Sequence, residues 1–393
     1  MKTLFESQRT TLDDALRTTA ASLNAFGETH RHWRLAFSGG KDSTATAAAV
    51  AYLTDAGLVK RPDTLGLMYA DTRLELPNLH AAAQRMMGDL RRRGWDVQTV
   101  LPDVLKRFFV MMFGRGIPPS HSGFRWCTGV LKVDPMAELM RSIKGDSGEK
   151  LLVITGMRIG ESANRDKRIT LACGKNGGEC GAGWYEETTP ADVADVLSPI
   201  LHWRTCHVWD WLMLGRKKHG LDCSLVAEVY DQDAEGSAAE VLSRTGCLSC
   251  PVASRDYALE RTIRKPEWAY LQPLMELRTL YEELSRPCNR LKKIERRKDG
   301  SISKRPMRLG PLVMPARRTG IDTVLSIQAR VNAARGSRPE VILIDDEELA
   351  CINGLIAADT WPQGWNGDEW AGNELIEDVR PGGFSLPVLN FGD

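Results

Sequence analysis

One short stretch restricts this chain more than any other: FSGGKDSTATAAAVAYL, residues 37–53. An apolar run closes at Phe37, a polar turn with two adjacent glycines follows, and a run of small residues of helical length comes next. The reading is strand, tight turn, helix. Glycine lets the backbone turn sharply and come close to a ligand, and the helix start offers unpaired N–H groups and the positive end of the dipole. Gly39 and Gly40 supply the turn, Ser38 and Ser43 hydroxyls, Lys41 a point charge and Asp42 a carboxylate, so the stretch reads as a phosphate cradle. It is not a Walker A loop, which needs Gly-x4-Gly-Lys-Ser/Thr. Leu35 stands where the first glycine is required, and Asp42 follows Lys41.

The pattern around the cradle repeats its logic. Leu12, Leu16, Ala20 and Leu23 recur at helical spacing and predict a helix over about 11–26. Strands are expected at 33–37, 64–70, 95–100 and 151–155, with helices at 43–55, 77–93, 103–113 and 130–143 between them. Such alternation predicts an α/β fold with a doubly wound, mainly parallel sheet, whose ligands bind beyond the carboxyl ends of the strands. Past Tyr257 the pattern turns helical and charged, which predicts a mostly helical C-terminal extension. The chain therefore divides into an N-terminal helix (1–30), a catalytic domain with a cysteine-rich insertion (31–256), a helical basic segment (257–336) and an acidic tail (337–393).

Net charge is only +1, but it is unevenly spread. From Arg286 to Arg318 twelve Lys/Arg face two acids, and from Ser337 onward twelve Asp/Glu face two arginines. A basic block followed by an acidic one suits a polyanion-binding segment, here DNA, or two solvated surfaces. A third arrangement is that the acidic segment folds back onto the basic block. The first residues, MKTLFESQRT, hold no apolar leader, and FFVMMF (108–113) is too short to span a bilayer, so a cytoplasmic protein with no membrane partner is expected. The nine cysteines in that compartment are expected to be thiols or metal ligands rather than disulfides.

The hexapeptide from Ser38 to Ser43 resembles the SGGxDS loop of the PP-loop ATP pyrophosphatases, a family that includes PAPS reductases, tRNA thiolases and GMP synthetase. The resemblance implies ATP as substrate, Mg2+ on its triphosphate and cleavage between the α and β phosphates. ADTRLELPN (70–78) is similar to the DTGxExP element of the PAPS reductase branch, with Arg73 where glycine is usual and Asp71 as a ribose contact or a turn cap. RWCTGVLKVDP (125–135) is similar to that branch's RWCTxxLK element. GMRIGESANRDKR (156–168) is similar to its GxRxxES element, and places Gly156, Arg158, Arg165 and Arg168 as candidate phosphate contacts. RLGPLVMPARRTGIDTVLSIQ (308–328) resembles a segment of DndC, the sulfur-transfer component of DNA phosphorothioation systems.

Cys247-Leu-Ser-Cys250 has the spacing of a Zn²⁺ or iron–sulfur knuckle. Cluster-containing adenylylsulfate reductases add a Cys-Cys pair, and here Trp126 precedes Cys127 in its place. The resemblance thus implies a 4Fe-4S cluster, with zinc as the alternative, held by ligands drawn from Cys127, Cys173, Cys180, Cys247 and Cys250. Cys206, Cys223, Cys288 and Cys351 read as structural, and His202, His207 and His219 as core histidines rather than ligands.

Taken together, these resemblances imply an ATP pyrophosphatase and sulfurtransferase. It would adenylate a nucleic-acid oxygen for replacement by sulfur, with Lys41, Asp42 and Cys127 carrying the chemistry. Its partners would be DNA, a cysteine desulfurase as sulfur donor and other phosphorothioation components. The alternatives are a PAPS or adenylylsulfate reductase, whose ECGLH-type motif this chain lacks, and a non-catalytic nucleic-acid-binding protein containing ATP and metal.

Overall fold

Helix α1 (Leu12–Gly27) starts where a capping box forms: the Thr11 hydroxyl accepts from the Asp14 N–H, and the Asp14 carboxylate accepts from the Thr11 N–H. The computed structural model describes residues 10–160, 184–185, 192–230, 247–253, 255–296, 302–373, 376–377 and 384–385. Six strands follow in one sheet: β1 (His32–Phe37), β2 (Thr64–Ala70), β3 (Asp96–Val100), β4 (Leu151–Ile154), β5 (Trp184–Tyr185) and β6 (Ala194–Ser198). Their order is β3-β2-β1-β4-β6-β5; the first five are parallel, and β5 runs antiparallel to β6. The expected doubly wound, Rossmann-like sheet is what forms.

Helix α2 (Lys41–Asp55) packs on β1, helix α3 (Pro77–Arg92) on β3, and helix α4 (Asp134–Ser147) on β2 and β3. Because crossovers are right-handed, reversal of direction after β3 puts α4 on the face opposite α2 and α3. Under α4 lies a core of Met68, Met140, Ile143, Leu151, Val153 and Val196. Helix α2 is buried nearly all round, and five of its alanines are fully inaccessible. Small residues let it approach the sheet closely.

The chain separates into two compact units that interleave in sequence. The first comprises Met1–Asp71, Glu75–Leu101 and Val133–Thr245; the second comprises Thr72–Leu74, Pro102–Lys132 and Gly246–Asp393. In the first unit a short helix α5 (Ser224–Val229) ends at Tyr230. In the second, helix α6 (Glu276–Ser285) is followed by an antiparallel pair, β7 (Arg290–Arg296) and β8 (Ile302–Leu312), then by helices α7 (Met314–Ala334) and α8 (Asp346–Ala357).

Three expectations are corrected. The helix expected over 103–113 is a 3-10 turn (Val104–Lys106) and a π turn (Val110–Gly114), separated by Arg107 in extended backbone. The helix expected from 130 starts at Asp134, after another π turn. The basic segment is not helical throughout, since β7 and β8 form a hairpin where Pro287, Pro306 and Pro311 forbid a continuous helix. Among the described residues no helix is long and apolar enough to cross a membrane.

The three singled-out histidines tie loops to main-chain groups, as a core reading requires. His202 Nε2 donates to the Ala15 carbonyl and His207 Nε2 to that of Thr10. His219 is committed at both nitrogens: Nε2 donates to the Trp211 carbonyl, and Nδ1 accepts from the Leu221 N–H. Burial first, then nearby Arg93 and Arg216, holds the His219 pKa below its ordinary value. The unfolded chain therefore takes up this proton at a higher pH than the folded one. Stability from this group is complete above the unfolded value of about 6.5 and is lost as pH falls below it. Denaturant midpoints measured from pH 7.5 to 5 should fall below about pH 6.5. The His219→Gln variant should start less stable and show a shallower acid slope; an equal slope would assign the acid sensitivity to other groups.

Candidate active site

The cradle sits where β1 ends. Gly39 has φ +73°, the left-handed region, and a Cβ there would stand 3.0 Å from that of Ala83 on α3. Glycine is needed on both counts. Gly40 caps α2 without a side-chain bond, so the helix start depends on other groups. The Ser38 hydroxyl meets the Ser43 hydroxyl at 3.1 Å, and Ser43 also donates to the Gly40 carbonyl at 3.0 Å. The first-turn N–H of Lys41 is taken by the Tyr230 hydroxyl at 3.1 Å.

The charged groups form one chain. Lys41 Nζ donates to one carboxylate oxygen of Asp42 at 2.8 Å, and Arg158 Nε donates to the other at 2.6 Å. Lys41 is 5% exposed and Arg158 1%. Arg158 also reaches the Trp203 carbonyl and the Thr205 hydroxyl, at 3.3 and 3.4 Å. The expected phosphate fork is in this structure a clamp on Asp42. Gly156, just past β4, lies so close to α2 that a Cβ would stand 2.8 Å from Ser43 N and 2.9 Å from Asp42 C. The cradle after β1 and Gly156 after β4 thus flank the point where strand order reverses, the place where such sheets bind ligands. Asp71 follows β2, whose Tyr69 is in register with Phe37, so it too lies beyond a carboxyl end. Arg165 and Arg168 lie outside the described residues.

The cysteine elements belong to the second unit. Cys247 to Cys250 form a tight turn in which the Cys250 N–H donates to the Cys247 carbonyl at 3.2 Å. Ser249 there has φ +48° and is held by the Asp256 carboxylate on its N–H and by the Leu274 carbonyl on its hydroxyl. Both cysteines lie near the phenol of Tyr281, whose ionisation is suppressed by burial first and then by those two groups. Phe108 stands edge-to-face with Tyr281 and stacks on Trp126 at 5.4 Å, next to Cys127. Trp126, where the cluster-binding reductases carry a cysteine, is thus an aromatic packing residue with its indole N–H on the Pro118 carbonyl. Among the described residues no three His, Cys, Asp or Glu side chains gather as a metal site, and Cys173 and Cys180 fall outside those residues.

The phosphoadenosine phosphosulfate reductase domain family matches residues 32–253, more than half of the 393. The chain belongs to this family. Two uncharacterized proteins of Methanocaldococcus jannaschii, MJ0973 and MJ0066, are 27% identical over 217 residues and 26% over 233. The matches cover 55% and 58% of this chain, which spans only about two fifths of those relatives, 41% and 38%. Among solved structures, a PAPS reductase from Candida auris in a phosphate complex is 12% identical with a TM-score of 0.33, covering 60% of this chain and 97% of that one. An FMN adenylyltransferase of Candida glabrata, with FMN and an ATP analogue, is 13% identical with the same TM-score, covering 51% and 56%.

One departure of this PAPS reductase-family chain now has a physical reason. Arg73, where glycine is usual, keeps the glycine conformation at φ +61°. That costs about 1 kcal/mol, offset by ion pairs of Arg73 with Asp345 and Glu348 at the start of α8. Beyond the family match, the residues resembling the DndC segment are braces. Arg317, fully buried, donates to the Phe113, Gly114 and Thr360 carbonyls. The Gln328 amide oxygen accepts from the Leu343 and Ile344 N–H groups, and the Trp365 ring lies against Gly310.

Sequence reasoning missed Tyr230. No motif marks it, and only the fold brings it to Lys41 from 189 positions away. It missed β6 as well, where Asp195 interrupts the apolar residues Val193, Ala194, Val196 and Leu197.

Gly156→Ala tests the close approach. Its methyl must push α2 away from β4, so we expect a loss of about 1–3 kcal/mol and weakened ATP binding. Gly145→Ala, on α4 with open space around it, is the control and should weaken neither, since alanine favours a helix interior. Equal behaviour of the two variants in denaturation and nucleotide titration would refute the packing argument.

Proposed function

We propose that this chain is an ATP pyrophosphatase that activates an acceptor oxygen for replacement by sulfur, and that the acceptor is a DNA backbone phosphate. The observation that carries this reading is the cradle at the switch point, with Lys41, Asp42 and Arg158 in one charged chain beside it. An acceptor oxygen attacks the α-phosphorus of ATP, the bond to the β-phosphate oxygen breaks, and pyrophosphate leaves. The acceptor then carries AMP, a far better leaving group than an oxide. Sulfur attacks the acceptor phosphorus and AMP departs with the former phosphate oxygen. Mg²⁺ on the triphosphate neutralises charge as pyrophosphate forms. Cys127 is the proposed carrier of a persulfide from a cysteine desulfurase; a second thiol then breaks the S–S bond, leaving a disulfide for an external thiol to reduce. No step is routed through a cluster.

A reductase reading shares the same cradle and needs a nucleophilic thiol near the C-terminus. Cys351 is the only cysteine there, and burial, with Asp103 and Glu347 nearby, raises its pKa despite the neighbouring arginines. A thiol held protonated is a poor nucleophile. The family match supports both readings equally, and what this chain lacks for the reductase is the ECGLH-type motif.

Pyrophosphate release from ATP tests the core of the proposal. Lys41→Met keeps the Asp42–Arg158 pair, and Ser38→Ala keeps the turn. Together they should lower release at least about a hundredfold with an unchanged circular dichroism spectrum. Undiminished release would remove the cradle from the chemistry. Mass spectrometry of DNA incubated with protein, ATP, desulfurase and cysteine should show a phosphorothioate; reduction of PAPS to sulfite instead would establish the reductase.

The proposed DNA surface on the basic hairpin has the acidic segment as a neighbour. Residues 364–371 lie along β7: the Lys292 N–H donates to the Trp370 carbonyl at 2.9 Å, and Leu291 bridges to Ala371. Lys293 pairs with Glu369 at 2.6 Å and sits 4.5 Å from the centre of the Trp365 ring. The acidic segment folds back onto the basic one. Glu369→Gln should therefore tighten binding of a DNA duplex and steepen its log–log salt slope by roughly 0.9, the value of one extra phosphate contact. Unchanged affinity and slope would place the DNA surface elsewhere.

A further inference from the structure

We propose that the Tyr230 hydroxyl, on the Lys41 N–H, holds the seat of a phosphate oxygen in the cradle and sets the affinity for the triphosphate by having to leave. The inference rests on the ATP-cradle reading and concerns the regulation of that same site.

A phosphate at a helix start takes its first-turn N–H groups. In this structure several donors of the cradle are engaged by protein atoms. The Tyr230 hydroxyl accepts from the Lys41 N–H, and Lys41 Nζ, on Asp42, stands 5.5 Å from the centre of the Tyr230 ring. The Gly40 N–H points to the Ser38 hydroxyl at a long 3.4 Å, and the Ser38 and Ser43 hydroxyls face each other. An oxygen thus stands at the Lys41 N–H, where a phosphate oxygen would bind, with the phenol ring under the lysine that would neutralise the phosphate.

Tyr230 is well placed to hold this position and to leave it. Its ring is 4% exposed and meets Trp209 edge-on at 5.4 Å, so it is fixed by packing. It lies just beyond the C-terminal end of α5, a helix of only six residues, rather than within a long element. A neutral phenol is a weak acceptor beside a triphosphate oxygen, because hydrogen bonds to charged acceptors are roughly twice as strong. The exchange therefore favours the ligand, while the lost tyrosine bond subtracts from its affinity. The consequence is that the Lys41 N–H has a partner before any ligand arrives, avoiding a buried unpaired N–H, and that anions too weak to displace the phenol are rejected.

The experiment is calorimetric titration of the full chain and its Tyr230→Phe variant with Mg-ATP, inorganic pyrophosphate and inorganic sulfate. Phenylalanine keeps the ring against Lys41 and Trp209 and removes only the competing oxygen. Mg-ATP and pyrophosphate should bind the variant roughly two- to tenfold tighter, sulfate should gain measurable binding, and the thermal midpoint of the free variant should fall. Unchanged affinity would overturn the inference, since nothing would then have been displaced. Weaker binding would overturn it too, assigning the hydroxyl a direct contact to the ligand. If neither protein binds Mg-ATP or pyrophosphate, it is the cradle reading that fails.

Discussion

The first unit is organised around one buried ion pair, Asp42 with Arg158. Arg158 arrives from the loop after β4 and Asp42 sits in the first turn of α2 after β1, so their 2.6 Å contact ties the two strands that flank the switch point. Asp42 is also a favourable acid near a helix N-terminus, and its second oxygen holds Lys41. Removing Asp42 takes the shared carboxylate from two buried cations, Lys41 and Arg158, a loss of about 3–5 kcal/mol. The arrangement of the cradle follows from this pair. It orients Lys41, positions the first turn of α2, and makes Gly156 necessary because nothing larger fits between the strand end and that turn.

Close packing extends the same constraint outward. An alanine-rich α2 can lie close to β1, and its first turn then meets both Gly156 and the Gly39 turn, which in turn abuts Ala83 on α3. Rigid small-residue packing of this kind holds backbone N–H groups in place for a ligand with little reorganisation when it binds. Tyr230 supplies the complementary adaptable part.

In the second unit the comparable core is aromatic. Phe108, Trp126 and Tyr281 form a row beside the Cys247–Cys250 turn, and Asp256 braces that turn from below through Ser249 and Leu259. The acidic residues near the C-terminus are structural here. Asp345 and Glu348 cap α8 and hold Arg73 and Arg107, while Glu369 engages Lys293. Formal charge blocks that look separate along the chain are therefore partly neutralised against each other.

What could be read from the residues alone was whatever depends on local pattern. Apolar alternation located four of the parallel strands and the helices α1, α2 and α3 within a residue or two, because side-chain period and turn residues are local properties. The glycine turn and its charges were legible for the same reason. Tertiary structure decided what depends on distant partners. Arg158 reads as a phosphate contact, and only the fold shows that Asp42, 116 positions away, is also its partner. Arg73 reads as an anomaly until its positive φ and its partners at 345 and 348 are known. The basic block reads as a polyanion surface, a solvated face or a surface covered by the acidic segment, and only the chain's return at Glu369, Trp365 and Trp370 puts that segment on it. Tyr230 carries no local signature at all, since a hydroxyl can stand in for a phosphate oxygen only once folding has carried it to the helix start.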